Sequence, residues 1–346
     1  MTERVTSPLD FRSDTVTRPT PDMRAAMAAA EVGDDYYRDD PTVHELEKTA
    51  ATILGKEAAL LTTSGTQSNL IAVLAQCGRG DAYVVGHRAH NHLRELGGVS
   101  VVAGVQPRVV PMQSDGRMAL AEVEAALHPP SILFAPVRLI ALENTQEGKV
   151  LPLKYIEAVA AIARRFDLRL HLDGARLFNA ATALDVPVAE VARPFDTVSV
   201  CLSKGLGAPV GSILASDRAT IEAARRHRQM LGGGMRQAGI LAAAGLYALN
   251  HHVKRLTDDH ARATHLAASL TNVAGLTVSP PETNIVFCDV DASVRSAFTE
   301  VLDRCGILSS GTPSRRRFVT HIDIGDAEIA AFRQAVSEFA DRLGIE

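Results

Sequence analysis

The chain predicts an α/β protein in which a mostly parallel sheet, covered by helices, is followed by a smaller α+β lobe. Three observations carry this. Short β-type runs alternate with helical patterns through the first two thirds of the chain, several of those runs are continuously apolar, and beyond Leu246 the pattern changes to long helices and shorter strands. A strand buried on both faces has no polar side to show, so continuous apolar runs separated by helices indicate a parallel sheet with helices on both sides.

After a segment rich in Thr and Pro, from Thr15 to Pro21, residues 42–55 read as a helix. Thr42 and Glu45 have capping-box spacing, and Gly55 is a natural C-terminal stop. Residues 58–63 form a strand candidate, and the helix after it carries Leu70, Ile71, Val73 and Leu74. Residues 83–86, 131–142, 168–172, 197–202 and 210–215 continue the strand series. A long helical region then starts at 246–258 and runs through Leu266 and Leu270, strands follow at 284–290 and 317–322, and the last helix has Ile329, Phe332, Val336, Phe339 and Leu343 on one face. This assigns residues 1–255 to an N-terminal segment and large domain, and 256–346 to a small C-terminal domain.

With 346 residues the chain can bury a sizeable core unaided. Its 36 Lys and Arg against 40 Asp and Glu leave a net charge of -4, with no basic block and no acidic tail, which points away from nucleic acid and from anionic membranes. A small metabolite is the expected partner. Cys77, Cys201, Cys288 and Cys305 form no CxxC pair, so neither a disulfide framework nor structural zinc is expected, and a reducing compartment, the cytoplasm, suits them. Met1-Thr2-Glu3-Arg4 leads into polar residues, and no apolar run is long enough to span a bilayer. The expectation is a soluble, unexported protein.

The sharpest chemical signal is a pair of strand ends. His171-Leu172-Asp173-Gly174-Ala175-Arg176 closes one strand and Ser203-Lys204-Gly205 another. In open α/β sheets ligands gather outside the carboxyl ends of the strands, so both segments should face one crevice. A lysine and an aspartate arriving there together suit pyridoxal phosphate: the amine forms an imine with its aldehyde, and the carboxylate keeps the pyridine nitrogen protonated so that the ring accepts electrons from the substrate α-carbon. A surface lysine after a strand is the plain alternative for Lys204 alone. Ser64-Gly65-Thr66-Gln67 lies between a strand and a helix, where exposed N–H groups and hydroxyls make a ready anion site. The same Ser-Gly pattern also caps helices that bind no phosphate, so by itself it leaves both readings open.

Further segments complete a recognisable set: Phe11-Arg12-Ser13-Asp14-Thr15-Val16-Thr17-Arg18-Pro19-Thr20, Val32-Gly33-Asp34-Asp35, Asp40-Pro41-Thr42, Leu142-Glu143-Asn144-Thr145, Gly148-Lys149-Val150, the run from Cys201 to Ser212, and Gly232-Gly233-Gly234-Met235-Arg236-Gln237. Along nearly its whole length the chain resembles the low-specificity L-threonine aldolases of the fold-type I pyridoxal-phosphate enzymes. The resemblance implies a fold-type I large domain with a smaller C-terminal domain, and pyridoxal 5′-phosphate held as an imine on Lys204 with Asp173 at the ring nitrogen. It implies that Ser64, Gly65 and Thr66 cradle the phosphate, and that Arg236 approaches it from a neighbouring subunit. His90 would stack over the cofactor ring and take the proton of the substrate β-hydroxyl, a task imidazole performs near neutral pH. Ser13, Arg176 and Arg317 would hold the substrate carboxylate, and Tyr37 would reach a partner's site. The implied reaction is retro-aldol cleavage of L-threonine or L-allo-threonine to glycine and acetaldehyde, without a metal, in a homo-oligomer that is at least a dimer and often a tetramer.

His87 and His92 have no assignment and are expected in solvent, and His171 is expected to pack or to act on the cofactor indirectly. Departures from the family pattern lie at Arg94, Leu133, Gln146, Arg38 and Gln229, where the family more often has an aromatic residue, His, His, Gly and Lys. They bear on which β-substituent fits. Cleavage of an aromatic β-hydroxy amino acid, transaldol exchange or β-elimination are the neighbouring reactions, and a non-catalytic cofactor-binding protein is the reading from another class.

Overall fold

The computed structural model describes residues 8–128 and 131–343, which fall into two compact units. The large unit, Pro19–Val253, is built on a seven-stranded sheet. The small unit joins the described residues up to Arg18 to those from Lys254 onward.

In chain order, β1 (Leu9–Asp10) belongs to the small unit, and β2 (Ala58–Thr62), β3 (Ala82–Gly86), β4 (Gln106–Val110), β5 (Val137–Glu143), β6 (Arg169–Asp173), β7 (Thr197–Cys201) and β8 (Ser212–Ser216) form the large sheet. Their order is β2-β8-β7-β6-β5-β3-β4, with β4, β3, β5, β6 and β7 parallel and β8 antiparallel to both its neighbours. All residues of β3, β7 and β8 are buried, which explains their continuous apolar runs. Strand β4 escaped the sequence reading because it is an edge strand of mixed character, Gln106-Pro107-Arg108-Val109-Val110, with only Val110 buried. The strand expected from residue 131 begins at Val137, since Pro136 lacks the N–H a ladder needs.

The helix Pro41–Leu54 ends on Gly55 at φ 65, as expected, but starts at a different cap: Asp40 accepts from Val43 N at 3.0 Å. The hydroxyl of Thr42, free of the capping task, donates to Glu31 O at 2.6 Å. The helical region expected to run on from residue 246 is two helices, Gly239–His251 and Leu256–Leu270.

In the small unit, β9 (Leu276–Val278), β10 (Ile285–Val290), β12 (Ser310–Thr312) and β13 (Arg315–Val319) form an antiparallel sheet in the order β12-β13-β10-β9, while β11 (Ile307–Leu308) pairs in parallel with β1. The described residues up to Arg18, grouped above with the N-terminal segment and large domain, contribute here instead. Phe11 is fully buried, with ring centroids 5.4 Å from Phe332 and 6.3 Å from Phe318, and its carbonyl accepts from Val319 N at 2.9 Å. Phe318, Phe332, Phe298 and Phe339 complete an aromatic core under the helix Asp326–Arg342. No helix among the described residues is long and apolar enough to cross a membrane.

Candidate active site

Strand pairing brings the signal residues together in the large unit. Ser212 of β8 pairs with both Thr62 of β2 and Cys201 of β7, and Asp173 of β6 pairs with Glu143 of β5 and Ser199 of β7. The carboxyl ends of β2, β5, β6 and β7 therefore share one edge of the sheet, the place where α/β folds hold ligands. A cavity of about 180 Å³ opens there, lined by Gly65, Thr66 and Asn69 from one helix, by His90, and by Asp173, Ala175, Cys201, Ser203 and Lys204 from the strand ends.

Ser64 caps the helix Gly65–Gln76, its Oγ accepting from Gln67 N at 3.1 Å. The first N–H groups of a helix have no partner within it and carry the positive end of its dipole, so this turn offers donors to an anion. Its approach to β7 depends on glycine, because a Cβ on Gly65 would lie 2.8 Å from Cys201 Sγ. Gln67 reaches back to Thr63 N, 3.1 Å from its Oε1, and its amide fills the space a side chain at Gly233 would need, so the glycine loop packs against the start of this helix.

Asp173 is buried and accepts from Asn69 Nδ2 at 2.8 Å and Ala175 N at 3.2 Å. His171 does not line the cavity: it is fully buried between Thr197 Oγ1 (2.8 Å) and Asn69 Oδ1 (3.2 Å), and burial pushes its pKa down to about 4. His90 opens the short helix His90–Leu93; its backbone N donates to Glu143 Oε2 at 2.7 Å and its Nδ1 lies 2.8 Å from Glu95 Oε1. Burial raises the Glu95 carboxyl above the usual range, opposed by its hydrogen bond to His90. Burial raises Glu143 as well, Asp173 adding to the effect and Lys204 and Arg176 opposing it. Those two cations therefore act on the same carboxyl. One side-chain nitrogen of His90 and one carboxylate oxygen each of Glu95 and Asp173 lie within 4.8 Å of one another, with the Asn69 amide joining the two carboxylates.

Arg176 precedes the helix Leu177–Leu184, one step beyond the cavity's Ala175. Tyr37 and Arg236 do not line the cavity. Tyr37 is 72% exposed, and Arg236 lies 4.8 Å over the Tyr36 ring and 3.4 Å from Asp34, also exposed. Asp35 N donates to the carbonyl of Arg236 at 3.0 Å, tying the two loops together, and the buried Asp35 carboxylate pairs at 2.5 Å with Arg228 of the helix Arg218–Met230. Ser13 and Arg317 belong to the small unit and are brought close there: Arg317 donates to the carbonyl of Arg12 at 3.0 Å, while Ser13 Oγ accepts from Thr15 N at 3.2 Å. His87, though exposed, accepts from Met112 N at 2.8 Å.

Sequence reasoning passed over Asn69, Glu95 and Glu143 as functional residues. The available signal was weak: Glu143 is an acid ending an otherwise apolar strand, and Glu95 is a buried acid five residues after His90. Of the departures, Arg38 adopts the left-handed region at φ 60, where glycine is unstrained, and pairs with Glu222 at 2.5 Å. Gln146 is buried, its Nε2 donating to Arg88 O at 3.3 Å. Arg94 and Leu133 are exposed.

This sheet order, with a lysine and a buried aspartate at its carboxyl edge, is the architecture of the fold-type I pyridoxal-phosphate-dependent enzymes. A serine palmitoyltransferase solved with that cofactor shares the fold at a TM-score of 0.75 and 16% identity, over 100% of this chain and 93% of that one. Residues 10–293 match the β-eliminating lyase family, and the chain belongs to it. It is 46% identical to the low-specificity L-threonine aldolase of Escherichia coli K12 over 322 residues, 93% of this chain and 96% of that one. The solved threonine aldolase of Leishmania major has the same fold at a TM-score of 0.83 and 21% identity, covering 96% of this chain and all of that one. The residues present fit such a cofactor: a primary amine, a buried carboxylate with its donors in place, and a helix start kept clear by Gly65 surround one cavity.

Proposed function

We propose that the enzyme cleaves the Cα–Cβ bond of L-threonine, L-allo-threonine and related β-hydroxy-α-amino acids, giving glycine and an aldehyde, with pyridoxal 5′-phosphate as cofactor. The observation that carries the reading is one cavity holding Lys204, His90 and Asp173, in a chain close to half identical to a named threonine aldolase. Lys204 would hold the cofactor's aldehyde carbon, Asp173 its ring nitrogen, and Ser64, Gly65 and Thr66 its phosphate. When bound, the cofactor draws off the electron pair left on Cα as the bond breaks.

The chain's own residues do the rest. Arg176 offers a guanidinium fork to the substrate carboxylate, a task the family resemblance also gives to Ser13 and Arg317. His90 takes the β-hydroxyl proton as the Cβ–O bond becomes a carbonyl, and Cα is then reprotonated to give glycine. Arg236 and Tyr37, exposed in one protomer, would serve a neighbour's site, making the working form at least a dimer and, as in much of the family, a tetramer. Free cysteines, none paired among the described residues, suit the cytoplasm.

Incubating the holoprotein with L-threonine, L-allo-threonine and L-phenylserine, and measuring glycine with each aldehyde, tests the reading. Glycine from at least one is expected, and glycine from none removes it. Borohydride reduction should leave the pyridoxyl group on the peptide carrying Lys204, and a different site would overturn the cofactor assignment.

A further inference from the structure

His90 can accept a proton from the substrate only if the nitrogen it presents is bare, and the hydrogen bonds around it decide which nitrogen that is. Its imidazole is 40% exposed, whereas the Glu95 side chain beside Nδ1 is 2% exposed. Nε2 makes no hydrogen bond among the described residues. Glu95 Oε1 also accepts from Asn69 Nδ2 at 2.9 Å, and the same amide nitrogen donates to Asp173 at 2.8 Å.

The direction of every bond in this run follows from donor and acceptor inventory. Carboxylates only accept, so Asn69 gives both amide hydrogens to Glu95 and Asp173, and its carbonyl must accept from His171 Nε2–H at 3.2 Å. His171 Nδ1 is then bare and takes the Thr197 hydroxyl hydrogen at 2.8 Å, while Gln76 Nε2 donates to Thr197 Oγ1 at 2.8 Å. Glu95 sits at the accepting end. One hydrogen lies between it and His90, and since the Glu95 carboxylate can only accept, that hydrogen sits on Nδ1.

We propose that Glu95 is a positioning residue for His90: it accepts Nδ1–H, fixes the tautomer whose Nε2 is bare, and stabilises the ring once Nε2 has taken a proton. That the proton comes from a β-hydroxyl rests on the aldol-cleavage reading; the pairing itself rests on geometry. In the step served, the substrate O–H bond breaks as Nε2–H forms, the oxygen lone pair closes the carbonyl, and the Cα–Cβ electron pair remains with Cα to be protonated later. The imidazolium then returns its proton to solvent. The arrangement follows the logic by which a buried carboxylate orients a catalytic histidine. Of the charged and titratable groups around the pair, Asp173 on β6 and Tyr83 on β3 interact with Glu95, Glu143 on β5 holds the His90 backbone N, and one step further out Lys204 and Arg176 act on Glu143 and His171 on Asp173.

The test is Glu95→Gln in the holoenzyme, with Glu95→Asp beside it. Glutamine keeps the shape but can turn an amide N–H toward Nδ1, leaving the hydrogen on Nε2. Without substrate, the rate at which diethyl pyrocarbonate modifies His90, followed by peptide mass spectrometry across pH, reports the imidazole pKa. Loss of the adjacent carboxylate should move the midpoint down by about one unit or more. Glycine formation should lose about 100-fold or more in kcat with KM within about threefold, the pattern of a lost proton acceptor. Glu95→Asp, which keeps the charge, should recover most of the midpoint. A midpoint unmoved in Glu95→Gln, or one that falls equally in both variants, overturns the proposal, as does a kcat within about threefold of the parent. Should the parent make no glycine from any substrate, the modification midpoint still decides the pairing, so the two readings fail separately.

Discussion

At Gly65 one added carbon would meet Cys201 Sγ at 2.8 Å, closer than Cβ atoms pack, at the turn where the helix Gly65–Gln76 begins. The helix start would have to rise away from β7, carrying its unpartnered N–H groups with it. Gly65→Ala should therefore weaken pyridoxal phosphate binding by about tenfold, or about 1.4 kcal/mol, while the circular dichroism spectrum stays that of the folded protein. Titration of the apoprotein by cofactor absorbance reads this, and an unchanged Kd would remove the helix start from the phosphate site. Lys204 and Asp173 were legible because each is a chemically apt side chain at the end of a strand whose place in the fold could be guessed, whereas His90 came from the family resemblance. Asn69 and Glu143 were not legible, since their partners lie 26 to 104 residues away, and Glu95, though only five residues from His90, gains its meaning from the fold that buries it and sets Asn69 beside it.

At the scale of the element, Asp40 does more than cap one helix. Besides Val43 N, its carboxylate accepts from Gly239 N at 2.8 Å and from Gly33 N at 3.2 Å, joining the start of Pro41–Leu54 to the start of Gly239–His251 and to the loop carrying Tyr37. An ordinary N-cap is worth about 1 kcal/mol. Here three N–H groups, two of them buried, lose their acceptor together, so Asp40→Ala should cost about 3 kcal/mol in urea unfolding, and a loss near that of an ordinary cap would show that the three bonds do not act jointly. The sequence placed this helix correctly within two residues and still chose the wrong cap. Thr42 and Glu45 have the right spacing, but only the tertiary neighbours Gly33 and Gly239 reveal why an aspartate two positions earlier takes the role. Strands buried on both faces were legible for the opposite reason: their apolar runs need no partner to be recognised, while edge strand β4, open on one side, carries no such mark.

For the whole molecule, acid stability is a contest between buried groups of opposite sign. His171 in the large unit and His260 in the small unit are both pushed down to about 4 by burial. An unfolded chain protonates these rings below about pH 6.5 while the folded one does not, so they take stability away as pH falls from 6.5 toward 4. Glu95, Glu143 and Asp259 are raised, Asp259 to about 6 against an unfolded value near 3.8. The folded state binds their protons first, so they return stability as the pH falls toward their unfolded values. The net slope is thus muted, and a single histidine is best read by difference. His171→Gln keeps hydrogen-bonding capacity toward Asn69 and Thr197 but has nothing to ionise. Its destabilisation relative to the parent, measured by urea unfolding at successive pH values, should shrink by about 1.4 kcal/mol for each unit between pH 6.5 and 4. A difference constant across that window would mean that His171 is already charged in the folded protein, and its bond to Thr197 would then have to be reversed, Nδ1–H donating to Oγ1, while Nε2–H still donates to Asn69.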